Sequence, residues 1–187
     1  MTRIPLVRPE DIPQAAREFV DRRGGLALYR LLANAPAVFV GWTRMAEEVL
    51  NSSTFSARMR ELVVLRVAYL QGSSYEVGHH IVRGRRTGIC QRHLDAVTSD
   101  DDLAAAGFDD TELAVLAFVS ELCTTNRVSD ESFASARSAL GDDGIITELL
   151  ILVSLYYGLA LVLNAAELEL DENARYESDT DPEKVGL

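Results

Sequence analysis

Cysteine is almost missing from this chain: Cys90 and Cys123 are the only two, and neither belongs to a Cys-x-x-Cys pair. Disulfide frameworks and dithiol redox chemistry both need paired cysteines, so neither is expected. Proline is scarce, at five residues, and there is no low-complexity tract, which argues against a disordered or linker-rich chain. Positive charge is also in short supply. The formal net charge is -11, with acids gathered in residues 99–110 and 167–183, so a nucleic-acid partner is not expected. GxGxxG, GxSxG, HExxH and zinc-type Cys/His spacings are all lacking, which leaves no motif for a phosphate cradle, a nucleophile elbow or a metal. The first 24 residues hold no apolar run behind a basic start, so no secretory signal is expected and the cytoplasm is the expected compartment.

One long uncharged run is present, LLILVSLYYGLALVLNAA over residues 149–166. It reaches the length of a membrane span. Its flanks, however, are Glu148, Glu167 and Glu169 rather than Lys or Arg, and Ser154, Tyr156, Tyr157 and Asn164 lie inside it. The run reads instead as the central, fully buried helix of a soluble bundle, and no membrane partner is expected.

Hydrophobic residues make up 48% of 187 positions, enough for one sizeable core and one domain over residues 1–187. Helical periodicity dominates, and alternating strands with hairpin dipeptides do not appear, so the expected fold class is all-α. N-terminal helices fill residues 1–54, with helices expected over 9–22 and 26–34 and a third starting at Pro36. These pieces read as packing rather than chemistry. A core over 55–170 contains helices at 57–70 and 75–86, a possible short helix over 90–97, helices at 112–123 and 130–140, a turn at 141–144 and the long apolar helix. The remainder, 171–187, reads as a loosely held acidic tail.

Chemistry concentrates around the break at Gly72-Ser73-Ser74. Glu61 interrupts an apolar helix, and Glu76 and His80 share one face of the next helix at i, i+4. Folding the two helices back at Gly72 brings Glu61, about eleven residues before the turn, near His80, about eight after it. A buried carboxylate beside an imidazole shifts both proton affinities toward usable values, and such a pair exchanges protons near neutral pH. The bland alternative is that Glu61 pairs with Arg58 or Arg83 and His80 is a satisfied core histidine. His79 projects about 100° away from His80 and so does not share its partners. Arg83, Arg85 and Arg86 form a basic cluster, read either as a solvated helix end or as a guide for a small anion.

The segment RELVVLRVAYLQGSSYEVGHHI, residues 60–81, resembles the core motif of the carboxymuconolactone decarboxylase family, which also contains the AhpD-type alkylhydroperoxidases. In the peroxidase branch the motif is a Glu, a Cys-x-x-Cys pair opening a helix, and a His four positions after the second Cys. The resemblance puts the Glu on Glu61, the two Cys on Ser73 and Glu76, and the His on His80. Ser and Glu form neither thiolate nor disulfide, so thiol peroxidase activity is not implied. The decarboxylase branch is similar in having Glu-x-x-x-His at Glu76 and His80.

That resemblance implies an AhpD-like helical subunit assembling as a homotrimer or homohexamer, with the site near a subunit boundary. It also implies a lyase without cofactor or metal, acting by proton transfer on a small lactone or conjugated keto acid. His80 is then the general acid or base, Glu61 its orienting partner and Glu76 a second carboxylate that relays protons. Arg83 is the candidate for holding a substrate carboxylate, and Ser73, Tyr75, Tyr156, Tyr157 and Asn164 are further substrate-binding candidates. The alternative is a non-catalytic helical oligomer that binds a small hydrophobic ligand or a partner in a vestigial site.

Overall fold

In the computed structural model, which describes residues 2–172, every regular element among the described residues is helical. The N-terminal helix expected over 9–22 is divided in two. Ile12 precedes Pro13 and is driven to an extended conformation (ψ 133°), which leaves one 3-10 turn at Pro9–Asp11 and then α1 (Gln14–Asp21). Gly24 and Gly25 follow with φ of 73° and 63°, and α2 (Ala27–Leu32) and α3 (Pro36–Asn51) complete this part.

Next comes the hairpin of α4 (Ala57–Leu70) and α5 (Ser74–Arg86). Ser56 and Ser73 cap the two helices by accepting from Met59 N and Glu76 N. Between them Gly72 adopts φ 63°, a left-handed conformation that costs a glycine nothing and reverses the chain in a tight turn. α6 (Gln91–Val97) is followed by a 3-10 turn at Leu103–Ala106. α7 (Asp110–Thr125) opens with a capping box in which Asp109 and Glu112 each accept from the other's backbone N–H. α8 (Asp130–Leu140) is capped by Ser129. α9 (Asp143–Ala166) begins well before the apolar run, because the Asp142 carboxylate accepts from Gly144 N and Ile145 N and so moves the cap upstream.

The helix buried all round is α4, not α9. Residues Leu62, Val63, Val64, Leu65, Arg66, Val67 and Ala68 are all buried, and α4 packs against α5, α6, α7 and α9. Arg66 tolerates this position because Ser120 Oγ (2.8 Å) and the carbonyl of Ser99 (2.7 Å) accept its N–H groups. By contrast only 44% of the uncharged span of α9 is buried, and Ile151, Leu161 and Val162 are exposed. By length and hydropathy alone α9 passes as a membrane span. Its inner side, Leu149, Leu152, Tyr156, Leu159 and Leu163, packs into the core. Each such leucine contributes about 1.5–3 kcal/mol on burial.

After α9 the chain turns at Glu167 (φ 51°) and passes against α5 at Gly78. A Cβ added to Gly78 would lie 2.8 Å from Leu170 Cδ2, so the absence of a side chain at Gly78 makes room for this contact. Asp171 is pinned rather than loosely held. It accepts from Tyr75 Oη (2.5 Å), His79 Nε2 (3.0 Å) and Ala27 N (3.1 Å). The rest of the expected acidic tail, 173–187, lies outside the described residues.

Candidate active site on the α4–α5 hairpin

The hairpin brings Glu61, Glu76 and His80 into one array. His80 Nδ1 lies 2.6 Å from Glu61 Oε2, across the two helices, and His80 Nε2 lies 3.2 Å from Glu76 Oε2, one turn back on α5. Both ring nitrogens therefore face carboxyl oxygens, a setting that satisfies a doubly protonated imidazole. Burial alone would lower the proton affinity of His80, whose side chain is 3% exposed. The charge and hydrogen bond of Glu61, with a hydrogen bond to Glu76, outweigh burial and raise it. For Glu61 the balance runs the other way: burial raises its pKa, but the charge and hydrogen bond of His80 overcome this and hold the carboxyl below its ordinary range. Arg58, the alternative partner for Glu61, is engaged elsewhere with Glu112 Oε1 at 2.7 Å.

One oxygen of the array is unused. Glu76 is 2% exposed, and its Oε1 is buried without a hydrogen-bond partner among the described residues. Leaving a buried carboxyl oxygen unpaired is costly, so Glu76 Oε1 is free to accept from a hydrogen-bond donor.

Glu76, His80, Arg83 and Tyr156 line one hollow with Tyr29, and its other walls are the apolar Leu28, Trp42, Ala46, Leu50, Leu155 and Leu159. The volume is about 20 Å³, room for a single water. Tyr156 meets His80 edge-on, with ring centroids 5.3 Å apart, and burial pushes its hydroxyl well above the ordinary phenol range. Arg83 keeps its charge although burial opposes it, because Tyr156, Tyr29, Glu61 and Glu76 surround the guanidinium.

The other candidates divide sharply. Arg83 and Tyr156 reach the hollow. Ser73 is wholly buried and serves as the α5 cap. The Tyr75 hydroxyl donates to Asp171 and accepts from Leu28 N, so it ties α5 to α2 rather than lining the hollow. Tyr157, one position from Tyr156 and thus about 100° around α9, donates to Asn126 Oδ1 on another face. Asn164 Nδ2 donates to the Gln71 carbonyl at the end of α4 and stays exposed. His79 lies tilted against Tyr75, with ring centroids 4.6 Å apart, and bonds Asp171, away from the array, as its helical angle requires.

The sequence offers no local signal for Tyr29 and Trp42. They belong to N-terminal helices read as packing alone, yet α2 and α3 supply about half of the wall. Only the docking of those helices on α5 and α9 reveals them.

A carboxyl–imidazole–carboxyl array on a helical hairpin, beside a small hollow with largely apolar walls, defines the class: an all-helical chain with a buried carboxyl–imidazole cluster. Residues 36–121 match the carboxymuconolactone decarboxylase family model. No curated protein matches the sequence. Solved structures with the same fold include the alkylhydroperoxidase AhpD core, an uncharacterized peroxidase-related protein from Ralstonia eutropha JMP134, with a TM-score of 0.79, 17% identity and coverage of 92% of this chain and 94% of that one. A peroxidase-related protein from Silicibacter sp. TM1040 gives a TM-score of 0.77 at 14% identity, covering 92% of both chains. The debrominase Bmp8, in complex with 2,3,4-tribromopyrrole, gives a TM-score of 0.78 at 16% identity, covering 96% of this chain and 97% of that one.

Proposed function

We propose that this chain is a cofactor-free acid/base enzyme of the lyase type that acts on a small lactone or conjugated keto acid by decarboxylation, isomerisation or a related proton transfer. The observation that carries the reading is the unpaired Glu76 Oε1, on a residue whose other oxygen already faces a proton-rich His80. Glu76 meets the substrate. His80 holds the proton that Glu76 exchanges, and Glu61 fixes the orientation of the imidazole ring from behind. Loss of CO2, or abstraction of a proton beside a carbonyl, leaves an electron pair that must be delocalised and then protonated. A positioned acid in a buried, largely apolar hollow, with Arg83 beside the developing oxyanion, supplies both needs. The proposal includes assembly as a homotrimer or homohexamer in the cytoplasm.

The test is solvent deuterium incorporation into a panel of small unsaturated lactones and conjugated keto acids, followed by NMR. Wild-type protein is expected to exchange at least one of them, and His80→Ala and Glu76→Gln to lose about 10²-fold or more, the usual contribution of a general acid or base. Unchanged exchange in His80→Ala removes His80 from the mechanism.

A second reading is favoured by the narrowness of the hollow, about 20 Å³, and by the 3% exposure of both His80 and Glu76 side chains. In it the chain is a non-catalytic oligomer that holds a small hydrophobic ligand in a vestigial site. Binding without any deuterium exchange would select this reading.

A further inference from the structure

The lining of the hollow constrains the charge and polarity of its occupant. At its polar end stand His80 and Arg83; both ring nitrogens of His80 already face carboxyl oxygens of Glu61 and Glu76, so Arg83 is the cation left to meet a ligand. Arg85, two positions on, turns away to donate to Gln91 Oε1. Arg83 already lies in the field of the Glu61 and Glu76 carboxyl groups, which offsets part of its positive potential and disfavours a ligand with several negative charges. Everything beyond this end is aliphatic or aromatic: Leu28, Trp42, Ala46, Leu50, Leu155 and Leu159. A second carboxylate on the ligand would lie against leucines without a partner, or against Glu76 itself, and both placements are strongly unfavourable. The unpaired Glu76 Oε1 asks for the opposite, a hydrogen-bond donor.

We infer that the molecule taken by this hollow is a small, mostly apolar ring or conjugated system bearing one enolic or phenolic hydroxyl and at most one negative charge, and not a di- or tricarboxylate. This rests on the acid/base reading of the same site, whose reacting species it specifies. The hydroxyl donates to Glu76 Oε1. When the proton transfers, the ligand O–H bond breaks, an O–H bond forms at Glu76 Oε1, and the electron pair stays on the ligand oxygen, which Arg83 then stabilises. Trp42 is the sole tryptophan of the chain and forms part of the apolar wall. Its neighbours Phe19, Tyr29 and Phe39 lie 6.2, 6.4 and 6.3 Å away by ring centroids, and a ring larger than one water must displace this cluster to enter.

Trp42 fluorescence of the intact protein, titrated with three probes, tests the inference. p-Cresol has the hydroxyl on an apolar ring, p-xylene has the same shape without it, and phthalate carries two carboxylates. Saturable quenching by p-cresol is expected, with p-xylene about fivefold or more weaker and phthalate at least about tenfold weaker, as expected for one charge-assisted hydrogen bond and one unpaired charge. Glu76→Gln should weaken p-cresol about fivefold while leaving p-xylene unchanged. Phthalate binding as tightly as p-cresol, equal affinity for p-cresol and p-xylene, or no response to any probe overturns the inference. Binding is read without turnover: p-cresol recognition without lactone exchange sinks the catalytic proposal and leaves this one standing, and exchange with a preference for phthalate does the reverse.

Discussion

Replacing Glu61 by Gln tests the physics of the array without needing a substrate. The change keeps the shape of the side chain and an oxygen that accepts the His80 Nδ1 proton, but removes the charge that stabilises the imidazolium. Side-chain exposures of 3% for His80 and 13% for Glu61 make this a buried pair. Removing one partner of such a pair costs about 3–5 kcal/mol, of which the retained hydrogen bond returns about 1, leaving a loss of about 2–4 kcal/mol. For a domain of this size that corresponds to roughly 5–15 °C in Tm. The pH dependence gives the sharper signature. His80 is raised above its ordinary 6.5, so its contribution is full below that value and is lost as pH rises through the folded pKa. Glu61 is lowered from its ordinary 4.5, so its contribution is present above that value and is lost as pH falls through the folded pKa. Wild-type stability should therefore carry a bell-shaped component, falling above 6.5 and below 4.5, that Glu61→Gln flattens. Thermal melts by circular dichroism across this range measure it. Equal stability of the two proteins at pH 6, with parallel pH profiles, would refute the buried ion pair.

Other expectations follow from the same structure. Asp171→Asn should cost about 2 kcal/mol, since the carboxylate accepts from Tyr75, His79 and Ala27. Burial raises the Asp171 pKa but those bonds overcome it, so the difference from wild type should vanish as pH falls below 3.8, and hydrogen exchange should show α2 loosened. Gly78→Ala should be destabilising by about 1 kcal/mol because Leu170 occupies the Cβ position, and should become neutral or stabilising in a Leu170→Ala background. Additive effects in that double-mutant cycle would contradict the contact. The exposed Ile151, Leu161 and Val162 on α9 predict a self-associating face. Light scattering should give a trimer or hexamer that Leu161→Glu disrupts, and a monomeric wild type would count against it.

Local signals made the hairpin legible. Gly72 and Ser73 mark a turn and a cap within three residues of each other, and Glu76 and His80 share a face by helical arithmetic alone, so the three-residue array could be assembled before any packing was known. The same locality misread the long helices. An uncharged run looks like a buried core, but burial is decided by neighbours: α4 carries Arg66 into the interior because Ser120 and the Ser99 carbonyl receive it, whereas α9 presents bare leucine and valine outward. Tyr156 and Tyr157 are equivalent in composition, and only the docking angle of α9 sends one to His80 and the other to Asn126. Tyr29 and Trp42 lay beyond reach for the same reason, since the hollow is made by helices distant in sequence. The strap at Leu170 and Asp171 depends on contacts spanning more than ninety residues, which periodicity does not encode.

Nitrogen-15 NMR of the three histidines, assigned through His79→Gln and His93→Gln, reads the proton state of His80 directly. A doubly protonated ring persisting above pH 6.5, with a far-downfield Nδ1 proton that disappears in Glu61→Gln, is the predicted result. A neutral His80 ring at pH 6, titrating identically with and without Glu61, would contradict it.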